Sequence, residues 1–125
     1  MPASREIFKG WLDAYGRAWE TGDPEAAAEL FAEDAVYHET PFDEPMRGRA
    51  EIVDYWSDVP RYQDDIRFSY EVLAVSEGEG IARWSASFVR LPARTPIRLD
   101  GVLLAKLDAA GRCTEFREWW HRQEE

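Results

Sequence analysis

Four side chains in this sequence have the types and neighbours that acid–base chemistry needs: Tyr15, His38, Glu39 and Glu118. Glu39 ends a short run of strand formers, with His38 directly before it. A carboxylate in an apolar pocket has a raised pKa and can take a proton from a carbon next to a carbonyl. The competing reading is a solvated strand end, or a carboxylate paired with Arg47 or Arg49. Successive residues of a regular strand point to opposite faces, so only one of His38 and Glu39 can enter a pocket. His38 then reads as a half-exposed strand residue or as one half of a His–carboxylate pair. Glu118 shares a strand face with Phe116 and Trp120 and alternates with Arg117 and Trp119. If Phe116 and Trp120 line a cavity, so does Glu118. A buried acid among aromatics is costly unless it is paired, protonated or functional. The opposite setting, with Trp119 inside and Glu118 exposed, stays open.

Other chemistries find little support. His38 and His121 lack a fixed third ligand, so no metal is expected. Cys113 has no identified base and, as the single cysteine, no disulfide partner within the chain. Gly78 and Gly80 belong to a turn rather than a phosphate loop, and no cofactor is expected. A net charge of −10 repels phosphate backbones and anionic lipid, which argues against nucleic acid or membrane as partner. No apolar leader and no long apolar run is present, and a cytoplasmic protein is the expectation.

The elements that must position these residues follow from periodicity. At 125 residues the chain reads as one domain, 1–125. Ser4 is placed to cap a first helix over Arg5 to Thr21, with Ile7, Phe8, Trp11, Leu12, Tyr15, Ala18 and Trp19 at helical spacing. Gly22 stops it, and Asp23 and Pro24 start a second, shorter helix that continues from Ala26 to Phe31. A strand over Asp34 to Glu39, a loop with Pro41, Pro45 and Gly48, and a helix from Arg49 to Ser57 come next. Val59 to Gln63 reads as a turn. The period then changes to two. Ile66, Phe68, Tyr70, Val72 and Ala74 form one strand face, and Ala82, Trp84, Ala86 and Phe88 the next, within Ile81 to Leu91. Ile97 to Asp108 and Cys113 to Arg122 complete an antiparallel meander, with Gly111 in the last turn. Three helices followed by a meander make an α+β chain, its helices packed on one face of a curled sheet.

Four stretches carry a resemblance. They are Gly22-Asp23, LFAEDAVYHETPF (Leu30 to Phe42), EPMRGRAEIVDYW (Glu44 to Trp56) and DAAGRCTEFREWW (Asp108 to Trp120). In this order they resemble the nuclear-transport-factor-2-like superfamily, in its SnoaL-like and ketosteroid-isomerase-like branch. The resemblance implies a cone: a bent antiparallel or mixed sheet wrapped round three N-terminal helices, with a central pocket. It implies homodimers through the outer sheet face, where Val102 and Leu104 lie opposite Leu103. It places Glu39 where isomerase-like members carry their proton-transferring carboxylate. Tyr15 falls where they carry the tyrosine that donates to the substrate oxygen, a neutral phenol suited to a developing oxyanion. Their second oxyanion donor, an acid, falls on Leu103, and Asp100 has the opposite parity. That departure argues against steroid isomerisation.

The residues expected to wall the pocket are Trp11, Trp19, Tyr55, Trp56, Trp84, Phe88, Leu103, Phe116 and Trp120. The reading is a pocket protein for a small hydrophobic, carbonyl-type ligand. Its catalytic version is a cofactor-free isomerase, cyclase or dehydratase. Its alternative is a non-catalytic ligand-binding or dimerisation domain. Hydrolysis by an activated water would need paired acids with an Arg between them, which the strand parities do not clearly supply.

Overall fold

The computed structural model describes residues 5–124, so the expected cap at Ser4 lies outside the described residues. Helix α1 (Arg5–Glu20) buries Phe8, Trp11, Leu12, Tyr15, Ala18 and Trp19, a face set by the three- and four-residue spacing. Ile7, read as part of that face, is 48% exposed. Gly22 takes φ +62 and turns the chain, and Asp23 then accepts a hydrogen bond from the Ala26 amide at the start of α2 (Pro24–Glu29).

The second helix stops short of Phe31, which instead opens strand β1 (Phe31–His38). Tertiary pairing overrides local propensity here. Phe31 is in register with Cys113, and the Leu30 carbonyl accepts from both the Cys113 amide and the Trp11 indole. The loop after β1 contains a two-residue strand, β2 (Met46–Arg47), which no sequence signal marked. Helix α3 (Gly48–Trp56) follows and buries Ile52 and Trp56. The segment expected as a turn is a short helix, α4 (Asp58–Tyr62). Pro60 does not break it, because it sits in the first turn, where backbone N–H groups have no helical partner.

Strands β3 (Gln63–Ser76), β4 (Glu79–Arg90), β5 (Thr95–Leu107) and β6 (Cys113–Glu124) are all longer than their periodic cores suggested. The sheet order is β2-β1-β6-β5-β4-β3. Every pairing is antiparallel except β1 with β6, which is parallel. The result is a curved, mixed, six-stranded sheet that wraps the helices without closing into a barrel. The expected cone is therefore the observed fold, and its sheet is mixed rather than a pure meander.

Alternation holds along β4, where Ala82, Trp84, Ala86 and Phe88 are buried. In β3 it fails at Ala74, which is exposed, while Val75 turns inward. The β3–β4 register shifts between Val72 and Ala74, and one extra residue inverts the parity beyond it. In β6 the open choice resolves with Glu118 inside and Trp119 outside, 6% and 47% exposed. No helix among the described residues is long and apolar enough to cross a membrane.

Candidate functional site

Between the helices and the concave sheet face lies a cavity of about 170 Å³. Helix α1 contributes Tyr15 and Trp19, and α3 contributes Tyr55 and Trp56. Strand β4 adds Trp84 and Phe88, and β6 adds Glu118 and Trp120. Glu39 stands just beyond the end of β1. Four residues expected at the wall or the chemistry stand elsewhere. Trp11 is taken up in the core against Phe31, Phe116 and Tyr15, its indole bonded to the Leu30 carbonyl. Phe116 lies behind the wall, stacked on Tyr37 at 4.6 Å, and Leu103 is wholly buried outside the cavity lining. His38 faces the other side of the sheet, with its Nε2 3.6 Å from Glu115. That glutamate is also held by Arg117 and Lys106. Partial burial and the Arg117 charge lower the His38 pKa, and it has no part in the cavity.

The centre of the site is a residue that carried no expectation. Tyr37 is 1% exposed, and its hydroxyl donates to Glu118 Oε2 at 3.2 Å. The Tyr15 hydroxyl stands 3.4 Å from that of Tyr37. A tyrosine has one hydroxyl proton. With Tyr37 donating to Glu118, Tyr37 accepts from Tyr15, and the chain runs Tyr15 to Tyr37 to Glu118. Strand parity held the signal for Tyr37, since it shares a face with Glu39, two residues on. The adjacent pair His38–Glu39 is the more conspicuous signal in that stretch.

Burial dominates the electrostatics. It drives the Glu118 pKa up to about 8; the Tyr37 hydrogen bond opposes the rise and the nearby Glu39 charge adds to it. No cation pairs with Glu118 among the described residues, so at neutral pH it is a protonated acid. The pKa values of Tyr15, Tyr37 and Tyr55 are raised well above the usual phenol value, first by burial and then by Glu118, and all three stay neutral. Glu39 is also shifted upward, by partial burial and by Asp43. Among the described residues it has no ion pair, so the expected alternatives Arg47 and Arg49 do not claim it; Arg49 bonds the Phe31 carbonyl instead.

Hydrogen bonds fix the wall. The Trp120 indole donates to the Glu39 carbonyl at 3.1 Å and ties β6 to the end of β1. The Trp19 indole donates to Gln63 Oε1 at 2.8 Å, joining α1 to the start of β3. The buried indole nitrogens of Trp56 and Trp84 have no hydrogen-bond partner among the described residues. The Trp56 ring stands nearly perpendicular to those of Tyr15, Trp19 and Tyr55. Asp58, Gln63, Arg90 and Arg122 also line the cavity without having been expected there. Gln63 ends the segment expected as a turn, Val59 to Gln63, and Asp58 stands just before it. A wider hollow of about 460 Å³ lies along Ser85, Ser87, Arg98, Asp100 and His121. Its carboxylate, Asp100, is exposed and already bound to Arg83 at 2.7 Å, so the hollow holds no buried acid. Among the described residues no three His, Cys, Asp or Glu side chains are grouped to hold a metal ion.

The fold has counterparts among known proteins. SalBIII, an epoxide hydrolase/cyclase-like enzyme with a role in pyran ring formation in the polyether salinomycin, superposes with a TM-score of 0.82 at 20% identity, over 94% of this chain and 93% of that one. A hypothetical protein with a ketosteroid isomerase-like fold from Catenulispora acidiphila, in complex with trimethylamine, gives 0.77 at 18% identity, over 94% and 86%. RV0760c from Mycobacterium tuberculosis gives 0.81 at 13% identity, over 98% and 99%. At such identities these likenesses speak for the fold alone. No curated protein sequence matches the chain significantly. The family model of the SnoaL-like domain matches residues 12–116, from the middle of α1 to the strand that carries Glu118, and the chain belongs to the SnoaL-like family.

Proposed function

We propose that the protein binds a small ligand in this cavity and performs cofactor-independent acid–base chemistry on it: an isomerisation, a ring closure or a dehydration. The observation that carries the reading is Glu118, a carboxyl buried among rings with two tyrosines in line behind it and no ion-pair partner among the described residues. Such an acid is kept neutral at pH 7 and can give a hydrogen bond or a proton to a ligand oxygen. The hydroxyl protons of Tyr15 and Tyr37 are committed along the chain, so the proton left for the ligand is that of Glu118. Tyr15 then supports the donor from behind. Glu39, less buried and also shifted upward, is the proton acceptor: it takes a proton from carbon or hydroxyl while the ligand oxygen is stabilised by Glu118. No electrons change hands, so the step balances with the two carboxyls alone. The cavity volume of about 170 Å³ suits a ligand with roughly one ring, which agrees with the argument against steroids.

Deuterium exchange into small cyclic ketones tests this. The protein should accelerate exchange next to the carbonyl, and Glu39→Gln should lower the rate by about 10²-fold or more. Exchange unaffected by Glu39→Gln, Tyr15→Phe and Glu118→Gln together would sink the mechanism. The second reading is a non-catalytic ligand-binding domain. The full internal commitment of the two tyrosine protons favours it, since they are not free for a substrate. We also propose that two copies associate through the outer sheet face, where Trp119 is exposed beside the half-buried Val102, with Leu104 two residues further along β5.

A further inference from the structure

Eight aromatic side chains line the cavity: four Trp, three Tyr and one Phe. Three carboxyls share it, graded in depth, with Asp58 exposed at the rim, Glu39 half-buried and Glu118 buried. None of the three has an ion-pair partner among the described residues. The two arginines at the cavity form no ion pair with them among the described residues. Arg122 is bound to Glu124 at 2.6 Å, and the Arg90 guanidinium lies 5.6 Å over the Tyr62 ring. The one amide at the wall, Gln63, is taken by the Trp19 indole. Aromatic faces carry negative electrostatic potential, and Trp carries the most. A ring-walled site with two carboxylates free of ion pairs, Glu39 and Asp58, attracts positive charge.

We propose that the ligand of this cavity carries a positively charged nitrogen, a protonated amine or a quaternary ammonium, held among the ring faces with Glu39 and Asp58 as its counter-charges. This rests on the cavity being the ligand site, and it narrows the ligand class there. The cation takes the outer half, where the two more accessible carboxyls stand. Glu118 at depth is left to the oxygen-bearing end of the same molecule. The cation also stabilises the ionised form of Glu39, the form a proton acceptor needs.

The test is a titration of the protein with tetramethylammonium and, separately, with tert-butanol, a neutral probe of nearly the same shape. Broadening of the single methyl resonance of each probe reports binding. Tetramethylammonium should bind about tenfold or more tightly than tert-butanol, a factor that attraction to two nearby carboxylates can supply. The double variant Glu39→Gln, Asp58→Asn should lose that preference while still binding tert-butanol. Equal or tighter binding of tert-butanol to the unmodified protein would overturn the cation inference and leave the cavity as a ligand site. A preference undiminished in the double variant would show that Glu39 and Asp58 are not its counter-charges and would also overturn the inference. Binding of neither probe would remove both the inference and the reading of the cavity on which it rests.

Discussion

At the scale of single residues the account turns on Glu118. Its folded pKa of about 8 lies above the ordinary value of 4.5. Between those two values the folded protein holds a proton that the unfolded chain has released. Stability contributed at this position is therefore full below the lower value and is lost as pH rises toward the upper one. The slope is on the order of 1 kcal/mol per pH unit. Glu118→Gln removes the titration and keeps the shape. Urea unfolding of both proteins from about pH 5 to pH 8 should show the variant gaining on the parent as pH rises, and the subtraction cancels groups of opposite sign such as Glu115, whose pKa is lowered by Arg117. Parallel pH curves would contradict this. Tyr37→Phe deletes the hydroxyl that joins Tyr15 to Glu118 and should cost about 1–3 kcal/mol in the same assay, the penalty of unpaired buried polar groups. A change of a few tenths would deny the relay. Residue types and parity made Tyr15, Glu39 and Glu118 legible as candidates. Tyr37 was not, because a tyrosine between Val36 and His38 reads first as a strand former. Only the meeting of β1 with β6 shows what its hydroxyl reaches.

At the scale of elements, the site depends on the contact between β5 and β6 that sets Glu118 and Trp120. Gly101 is paired with Trp120, and a Cβ there would collide with the Trp119 carbonyl oxygen and with Trp120 itself. Backbone cannot yield as a side-chain tip can. Gly101→Ala should therefore cost about 1–3 kcal/mol, and should also disturb the Trp120 bond to Glu39, with a shift in tryptophan emission. Emission and stability both unchanged would show that the strands can part without loss. The helices α1 and α3 and the long strands were legible because their apolar periods run over several turns or pairs. Three features were not. The chain enters β1 at Phe31 because Cys113 pairs there; α4 forms around a proline that is harmless in a first turn; and the parity flip after Val72 needs the register of β4 to be seen. Each is decided by a neighbour distant in sequence.

At the scale of the whole molecule, the cone gives two faces with different tasks. The concave face holds the rings and acids, and the outer face is built of Arg, Ser and Asp with an exposed Trp119. If copies associate there, the protein should sediment as a dimer, and Trp119→Arg should yield monomers with the cavity intact. A monomer in the unmodified protein would remove the proposed dimer and leave the pocket untouched. The cone was legible in the order of elements, but the cavity's contents required the sheet to be curled around α1. What the molecule does stands on whether that cavity keeps a carboxylic acid protonated beside a ligand at neutral pH. The most direct measurement is the carboxyl ¹³C shift of Glu118, assigned by its loss in Glu118→Gln and followed across pH. A midpoint at about 8 is the predicted result. A midpoint at the ordinary 4.5 would contradict the account, because Glu118 would then be an anion with no proton to give.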